Sequence, residues 1–150
     1  MNNKNLVRQY FTALWSDDYN PDKIRQLASQ DMLWRYPMHG EFHGTEAVIT
    51  MLHSFRESFP DLNFWPTADF LEDGDYVIVR WEGGGTHTGK ALTELPYGGP
   101  IPAGSGRKVF FGGTSIVKIG NGKIVEEIGQ EGAIDALLQL GAVNETVPVP

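Results

Sequence analysis

Apolar positions change their spacing along the chain. Leu6, Val7, Tyr10, Phe11, Leu14 and Trp15 recur at i, i+4 and i+8, which predicts one apolar face on a helix of about 12 residues. Asn20-Pro21-Asp22 sets an N-cap before a proline at the first helical position, so a short second helix carries Ile24 and Leu27 inward. Asp31 to Tyr36 reads as a strand stopped by Pro37. Thr45 then caps a third helix with Val48, Met51, Leu52 and Phe55 on one face, ending near Phe59-Pro60. Beyond this point the period falls to two. Segments 61–71 and 75–88 predict a hairpin around Glu72-Asp73-Gly74-Asp75, and 108–119 and 123–130 a second one around Gly120-Asn121-Gly122. Segment 89–107 holds Gly89, Pro96, Gly98, Gly99, Pro100, Pro102, Gly104 and Gly106, and is expected as a long loop of the kind that serves as a lid. A last helix carries Ile134, Leu137, Leu138 and Leu140, and 142–150 is expected as a flexible tail.

Helices followed by antiparallel strands imply an α+β fold in one domain over 1–150, with three N-terminal helices packed on a curved sheet. Gly83-Gly84-Gly85 and Gly112-Gly113 lie where that sheet would have to bend. Net charge is −7, with 6 basic and 7 acidic side chains in 1–60, 5 and 7 in 61–120, and 1 and 5 in 121–150. No basic stripe appears, so neither nucleic acid nor a membrane surface is an expected partner. No apolar run reaches the roughly 20 residues of a membrane span, and no leader pattern opens the chain; a cytoplasmic location is the default expectation. With 0 cysteines, thiolate metal sites and a cysteine nucleophile are excluded, and the four histidines lack ligand spacing, so neither metal nor cofactor is expected.

Phe42-His-Gly-Thr45, Ser58-Phe-Pro-Asp61, Val79-Arg-Trp81, Gly85-Thr-His-Thr-Gly89, Gly122-Lys-Ile-Val-Glu126 and Gln139-Leu-Gly141 follow one another in an order and spacing that resembles the SnoaL-like polyketide cyclases of the nuclear-transport-factor-2-like superfamily. The resemblance covers about residues 4–141. It implies a cone-shaped, cystatin-like α+β barrel around a deep apolar pocket, a homodimer packed through the sheet face, and no cofactor. Known cyclases of the family close a ring by aldol condensation with an aspartate on the last strand. Here Gly129 falls at that position, Glu127 and Ser115 at those of two histidines, and Gly113 at that of a glutamine. Tyr10 matches the oxyanion-hole tyrosine of the superfamily's steroid isomerases, whose two carboxylates are replaced by Tyr36 and Ser115. For the Asp-Arg-Asp set of its epoxide hydrolases, Arg80 and Glu127 supply only a part.

Alternation along the last strand sets Val125, Glu127, Gly129 and Glu131 on one face, which the resemblance directs into the pocket. A carboxylate in an apolar cavity has its pKa raised and can exchange protons near neutral pH. Glu127 is therefore the expected acid/base, with Tyr10 as hydrogen-bond donor and His87 assisting; a salt bridge from Glu127 to Arg35 or Arg80, and a backbone-bonded His87, are the bland alternatives. Trp15, Trp34, Tyr36, His39, Trp65, Arg80, Ser115 and Glu131 complete the expected ligand wall. The function this implies is cofactor-independent cyclisation, isomerisation or hydrolysis of a hydrophobic, cyclic or polyketide-like compound. The alternatives are a non-catalytic binding or dimerisation module, or a structural domain whose cone is filled.

Overall fold

The computed structural model describes residues 1–144; the expected tail from 145 onward lies outside the described residues. Helices α1 (Asn3–Trp15) and α2 (Pro21–Leu27) lead into β1 (Ala28–Tyr36) and β2 (Gly40–His43). Then follow α3 (Thr45–Ser58), β3 (Asn63–Pro66), β4 (Leu71–Asp73), β5 (Tyr76–Thr86), β6 (Lys108–Gly120), β7 (Lys123–Glu131) and α4 (Ala133–Leu140). The strands form one sheet in the order β2-β1-β7-β6-β5-β3, with β4 paired to β5; only β1 and β7 run parallel. The α+β class and the curved, mostly antiparallel sheet are those expected.

Local chemistry explains the boundaries. The Asn2 side chain accepts the Asn5 N–H at 2.8 Å, and Asn20 accepts that of Lys23 at 3.0 Å, so each capping side chain satisfies an otherwise orphaned donor of its helix. Thr45 is not the cap of α3 but its first residue; Gly44 precedes it, and the Thr45 hydroxyl donates instead to the Ser29 carbonyl at 2.6 Å, tying α3 to β1. Asn121 and Gly122 both take positive φ, 51° and 73°, as the tight turn between β6 and β7 demands. Segment 89–107 has a single bridge, Leu92 to Ile101, and no named strand or helix.

Several expectations fail for reasons of pairing. The strand foreseen over 61–71 is two short ones, because β3 pairs with the far end of β5 (Pro66 opposite Trp81) and β4 with its beginning (Leu71 opposite Ile78). Residues 40–43 form β2 against β1 rather than a loop, and β1 begins at Ala28, three residues earlier than its hydrophobic pattern suggested. The register shifts at Lys118/Ile119, opposite Ile124 and Glu126, while Gly112-Gly113 keep a regular ladder. That bulge breaks the alternation: Ile124 is fully buried and Val125 is only half-buried, so the inward set is Ile124, Glu127, Gly129 and, half-buried, Glu131. On α4, Ala136, Leu137 and Leu140 are buried and Ile134 is exposed.

Two long side chains lock the elements together. Gln139 of α4 accepts the Phe110 N–H at 2.6 Å and donates to the Phe110 carbonyl at 2.9 Å, completing the ladder where β6 runs on past the end of β7. Arg56 of α3 donates to the Leu14, Ser16 and Leu62 carbonyls at 2.5, 2.9 and 3.4 Å, and its guanidinium lies 4.5 Å over the Tyr19 ring. Arg56→Ala leaves the Leu14 and Ser16 carbonyls at the end of α1 and the Leu62 carbonyl after α3 without their charged donor and is expected to cost about 2–4 kcal/mol in a urea melt. Arg56→Lys, which cannot reach three carbonyls at once, should recover less than half of that.

Candidate active site

The interior of the cone is an aromatic cluster. Trp15 packs edge-on against Tyr36 and Phe64 at 5.9 and 5.6 Å, and Trp34 lies 4.6 Å from Tyr36. Phe64 meets Trp81 and Phe111 at 5.1 and 5.4 Å. These rings leave an inner chamber of about 20 Å³, bounded by Trp15, Tyr36, Met38, His39, Phe55, Phe64, Trp81, Phe111 and Glu131. That is room for roughly one water molecule. The deep apolar pocket expected inside the cone is thus almost filled.

A much larger cleft, about 620 Å³, lies beside it. Its floor is α3 and Phe42, and its far wall is the loop from Lys90 to Leu95. Met38, His39 and Phe55 belong to both spaces, and the His39 and Phe55 rings, 4.7 Å apart, separate them. Sequence reading missed this cleft; the signals were the small, polar face of α3 at Ala47, Thr50 and Ser54 and the breaker-rich loop opposite it.

Behind the chamber runs a chain of buried hydrogen bonds. The Trp81 indole N–H donates to Ser115 Oγ at 2.9 Å, Ser115 and Tyr36 share a hydrogen bond, and Tyr36 donates to Glu127 Oε2, which also receives the Trp15 indole N–H at 3.2 Å. Donors converge on one carboxylate. Burial pushes the Glu127 pKa up, and the hydrogen bonds of Tyr10, Tyr36 and Trp15 pull it back only in part. Burial and the Glu127 charge push Tyr10 and Tyr36 well above the usual phenol range, so both remain donors.

This geometry redistributes the expected roles. Glu127 is 1% exposed and lines neither the cleft nor the chamber, so its carboxylate is sealed behind Tyr36 and Trp15 rather than offered to a ligand. Neither Arg35 nor Arg80 pairs with it; Arg35 bonds Glu41. Tyr10 is fully enclosed beside Glu127 and Met32, Trp34 is fully buried, and Ser115 sits inward with no exposed surface. None of the three lines either space. Trp65 and Arg80 point to the outer face of the sheet, since Phe64 and Trp81 take the inward positions beside them. His87 does not reach Glu127: its ring is tied to Ser105 and the Lys90 carbonyl. Trp15, Tyr36, His39 and Glu131 are the expected wall residues that do meet, around the inner chamber.

Two polar groups face that chamber with unusual proton affinities. Burial pushes the Glu131 carboxyl up to about 7, although Oε1 accepts the Met38 N–H at 2.8 Å. Burial lowers His39 to about 4, which keeps its imidazole neutral at physiological pH. A half-protonated carboxyl and a neutral imidazole in an apolar setting can donate, accept or relay a proton. Position 129 has no such capacity: a Cβ there would lie 2.1 Å from Tyr36 Cε1, so the Tyr36 ring occupies the space of any side chain. Among the described residues, no group of three or more His, Asp and Glu side chains is placed to hold a metal ion.

A cone of curved antiparallel sheet with helices over its open face defines the nuclear-transport-factor-2-like, or cystatin-like, architecture. Residues 5–140 match the SnoaL-like polyketide cyclase family, and the chain belongs to it. Among solved structures, it is similar to a candidate SnoaL-like polyketide cyclase from Jannaschia sp. CCS1, with 20% identity, TM-score 0.76, and 93% of this chain and 91% of that one covered. TsrD from Streptomyces laurentii is similar at 18% identity and TM-score 0.74, with 95% and 99% covered. A protein with a ketosteroid isomerase-like fold from Catenulispora acidiphila DSM 44928, in complex with trimethylamine, gives 16%, 0.71, 98% and 100%. At these identities the likeness establishes the fold. Comparison with curated proteins gives no match. Among the described residues no helix is long and apolar enough to cross a membrane.

Proposed function

We propose that the chain is a cofactor-independent acid/base enzyme acting on a hydrophobic, cyclic or polyketide-like compound, with Glu131 as the proton-transferring group. The observation that carries this reading is the half-buried Glu131 carboxyl at the wall of an aromatic chamber, its pKa raised to about 7. The compound lies in the cleft against Met51, Phe55, Leu92 and Leu95, and its reacting edge meets the His39 ring, which lines both spaces and relays the proton to Glu131 on the chamber side. Tyr36, Trp15 and Glu127 then act behind the site, holding the ring wall in place. The test is incubation with a panel of polyketide esters, cyclic ketones, lactones and epoxides, followed by product mass. Conversion by the native protein that Glu131→Gln loses supports the reading. Conversion that survives Glu131→Gln and is lost in Glu127→Gln returns the chemistry to the buried carboxyl and refutes it.

The near-filled chamber favours one rival, a protein that binds its ligand in the cleft without transforming it. A rise in Tm with unchanged ligand mass is that outcome; saturation at 100 times Kd is worth about 2.7 kcal/mol of stability.

We also propose a homodimer through the outer face of the sheet. Trp65 and Phe110 meet there at 6.2 Å with tilted rings and are 41% and 54% exposed, and Ile116, further along β6 on the same face, is 45% exposed. An apolar surface of this kind on a sheet marks an interface more often than free surface. Sedimentation equilibrium is expected to give a dimer for the native chain and a monomer for Phe110→Glu combined with Ile116→Glu; two monomers, or two dimers, would remove this proposal.

A further inference from the structure

The loop that walls the cleft is 19 residues long by position, from 89 to 107, and its glycines and prolines give it no regular structure of its own. It is nevertheless held at both ends by one ring. His87 has no exposed surface and packs 5.4 Å from Phe59. Its Nε2 donates to the Lys90 carbonyl at 2.7 Å, on the outgoing leg, and its Nδ1 is bonded to Ser105 Oγ at 2.7 Å, on the returning leg. The backbone of the same residue adds two more ties, His87 N–H to Arg107 O at 2.9 Å and Gly106 N–H to His87 O at 2.8 Å. Among the described residues, no other side chain bonds to both legs.

The clasp fixes what lies between its two arms. With the legs joined, Gly104 N–H reaches Gly89 O at 2.9 Å, and Leu92 and Ile101 exchange both backbone hydrogen bonds at 2.9 Å. The outgoing leg is pressed onto the end of α3: Gly89 N–H donates to Ser58 O at 3.1 Å, and a Cβ at Gly89 would lie 1.7 Å from Glu57 O. Lys90, Leu92 and Leu95 thereby become the far wall of the cleft. Without the ring's two bonds, the legs keep only their backbone ties and the hold of Lys90 on α3, the Gly/Pro-rich segment between them gains conformational freedom, and the wall is less well preformed for a ligand.

We infer that His87 is a positioning residue, which clasps the two legs of loop 89–107 and so preforms the wall of the cleft, without touching the ligand itself. The inference rests on the cleft being the ligand site, and it is tested by two readouts, one of which does not depend on that reading. Amide exchange of the full chain is compared for the native protein, His87→Phe, which keeps a ring against Phe59 but loses both arms, and Ser105→Ala, which loses one. The amides of Leu92, Ile101, Gly104 and Gly106 are expected to exchange at least tenfold faster in His87→Phe and severalfold faster in Ser105→Ala, while those of β6 from Ser115 to Ile119 keep their native rates. Unchanged loop amides in both variants, or equal acceleration throughout the sheet, would overturn the clasp.

The second readout is affinity for the apolar dye 1-anilinonaphthalene-8-sulfonate, with Ala47→Trp filling the cleft to locate the binding. Dye binding abolished by Ala47→Trp and weakened at least fivefold by His87→Phe and Ser105→Ala is the expected result. Binding that Ala47→Trp abolishes and both loop variants leave intact would refute the link from clasp to cleft. Binding indifferent to Ala47→Trp would count against the cleft as the ligand site, and the exchange data alone would then decide the clasp.

Discussion

Gly129→Ala is expected to destabilise the protein by about 3–5 kcal/mol, a large effect for one added methyl group. The methyl carbon would be built 2.1 Å from Cε1 and 2.5 Å from Cζ of Tyr36, a ring with 2% exposure. Relief by ring movement is blocked from several sides. The Tyr36 hydroxyl is held by Ser115 and Glu127, and the ring faces Trp15 and Trp34. Tyr36→Ala alone should also cost about 3–5 kcal/mol through the lost aromatic packing and the lost hydrogen bonds to Glu127 and Ser115. The two losses should not add. Once the ring is gone, the extra methyl at 129 meets open space, so the double variant is expected to be more stable than the summed singles by about 1–3 kcal/mol. Urea melts of the four proteins complete this cycle; additive losses would mean that the ring and the glycine do not share that space. The same geometry leaves no room for a carboxylate at 129, where the resemblance had led one to expect it: the Tyr36 ring fills that space, and Glu131 is the carboxyl left facing the chamber.

Glu131→Gln is expected to lower turnover by about 10²–10⁴-fold at pH 7, the usual contribution of a positioned acid or base. The native pH–rate profile should carry a limb with its midpoint near 7, rising with pH if the carboxylate takes a proton and falling if the acid gives one, and the variant should lose that limb. Stability offers a check that needs no substrate. The folded-state pKa of about 7 lies above the roughly 4.3 of an unfolded glutamate, so the folded chain holds the proton more tightly. Its contribution to stability is therefore present below pH 4 and is lost as pH rises from about 4.3 to about 7. A shift of that size corresponds to roughly 4 kcal/mol, and solvent at the exposed edge of the carboxyl reduces this to about 1–2 kcal/mol. The amide introduced by Glu131→Gln keeps an oxygen for the Met38 N–H and stays neutral at every pH. The variant is thus expected to match the native Tm at pH 4 and to exceed it by about 2–8 °C at pH 8. Equal Tm differences at both pH values would show that Glu131 titrates normally.

Much of this was written locally. The cap at Asn20, the apolar faces of α1 and α2, the Asn121-Gly122 turn and the irregular loop after Gly89 depend on residues within a few positions of one another, and the sequence pattern predicted them. The ordered motifs from Phe42-His-Gly-Thr45 to Gln139-Leu-Gly141 carried the family and its fold, and Gly129 marked where the expected aspartate is missing. Which carboxyl faces a cavity was beyond that kind of reading. Strand alternation assigns a face, but it treats Glu127 and Glu131 alike, and the bulge opposite Ile124 moved Val125 out of the pattern.

Only the assembled sheet and helices separated them. Trp15 from α1 and Tyr36 from β1 close over Glu127 from positions 112 and 91 residues away, whereas Glu131, at the end of β7, is left at the chamber wall. The same holds for His87, whose motif suggested chemistry until Ser105, 18 residues on, was seen to complete its hydrogen bonds. Short-range steric and capping energies act between neighbours in the chain, and these the sequence alone determined. Desolvation and proton affinity depend on which distant side chains exclude water from a group, and that only the tertiary structure decided.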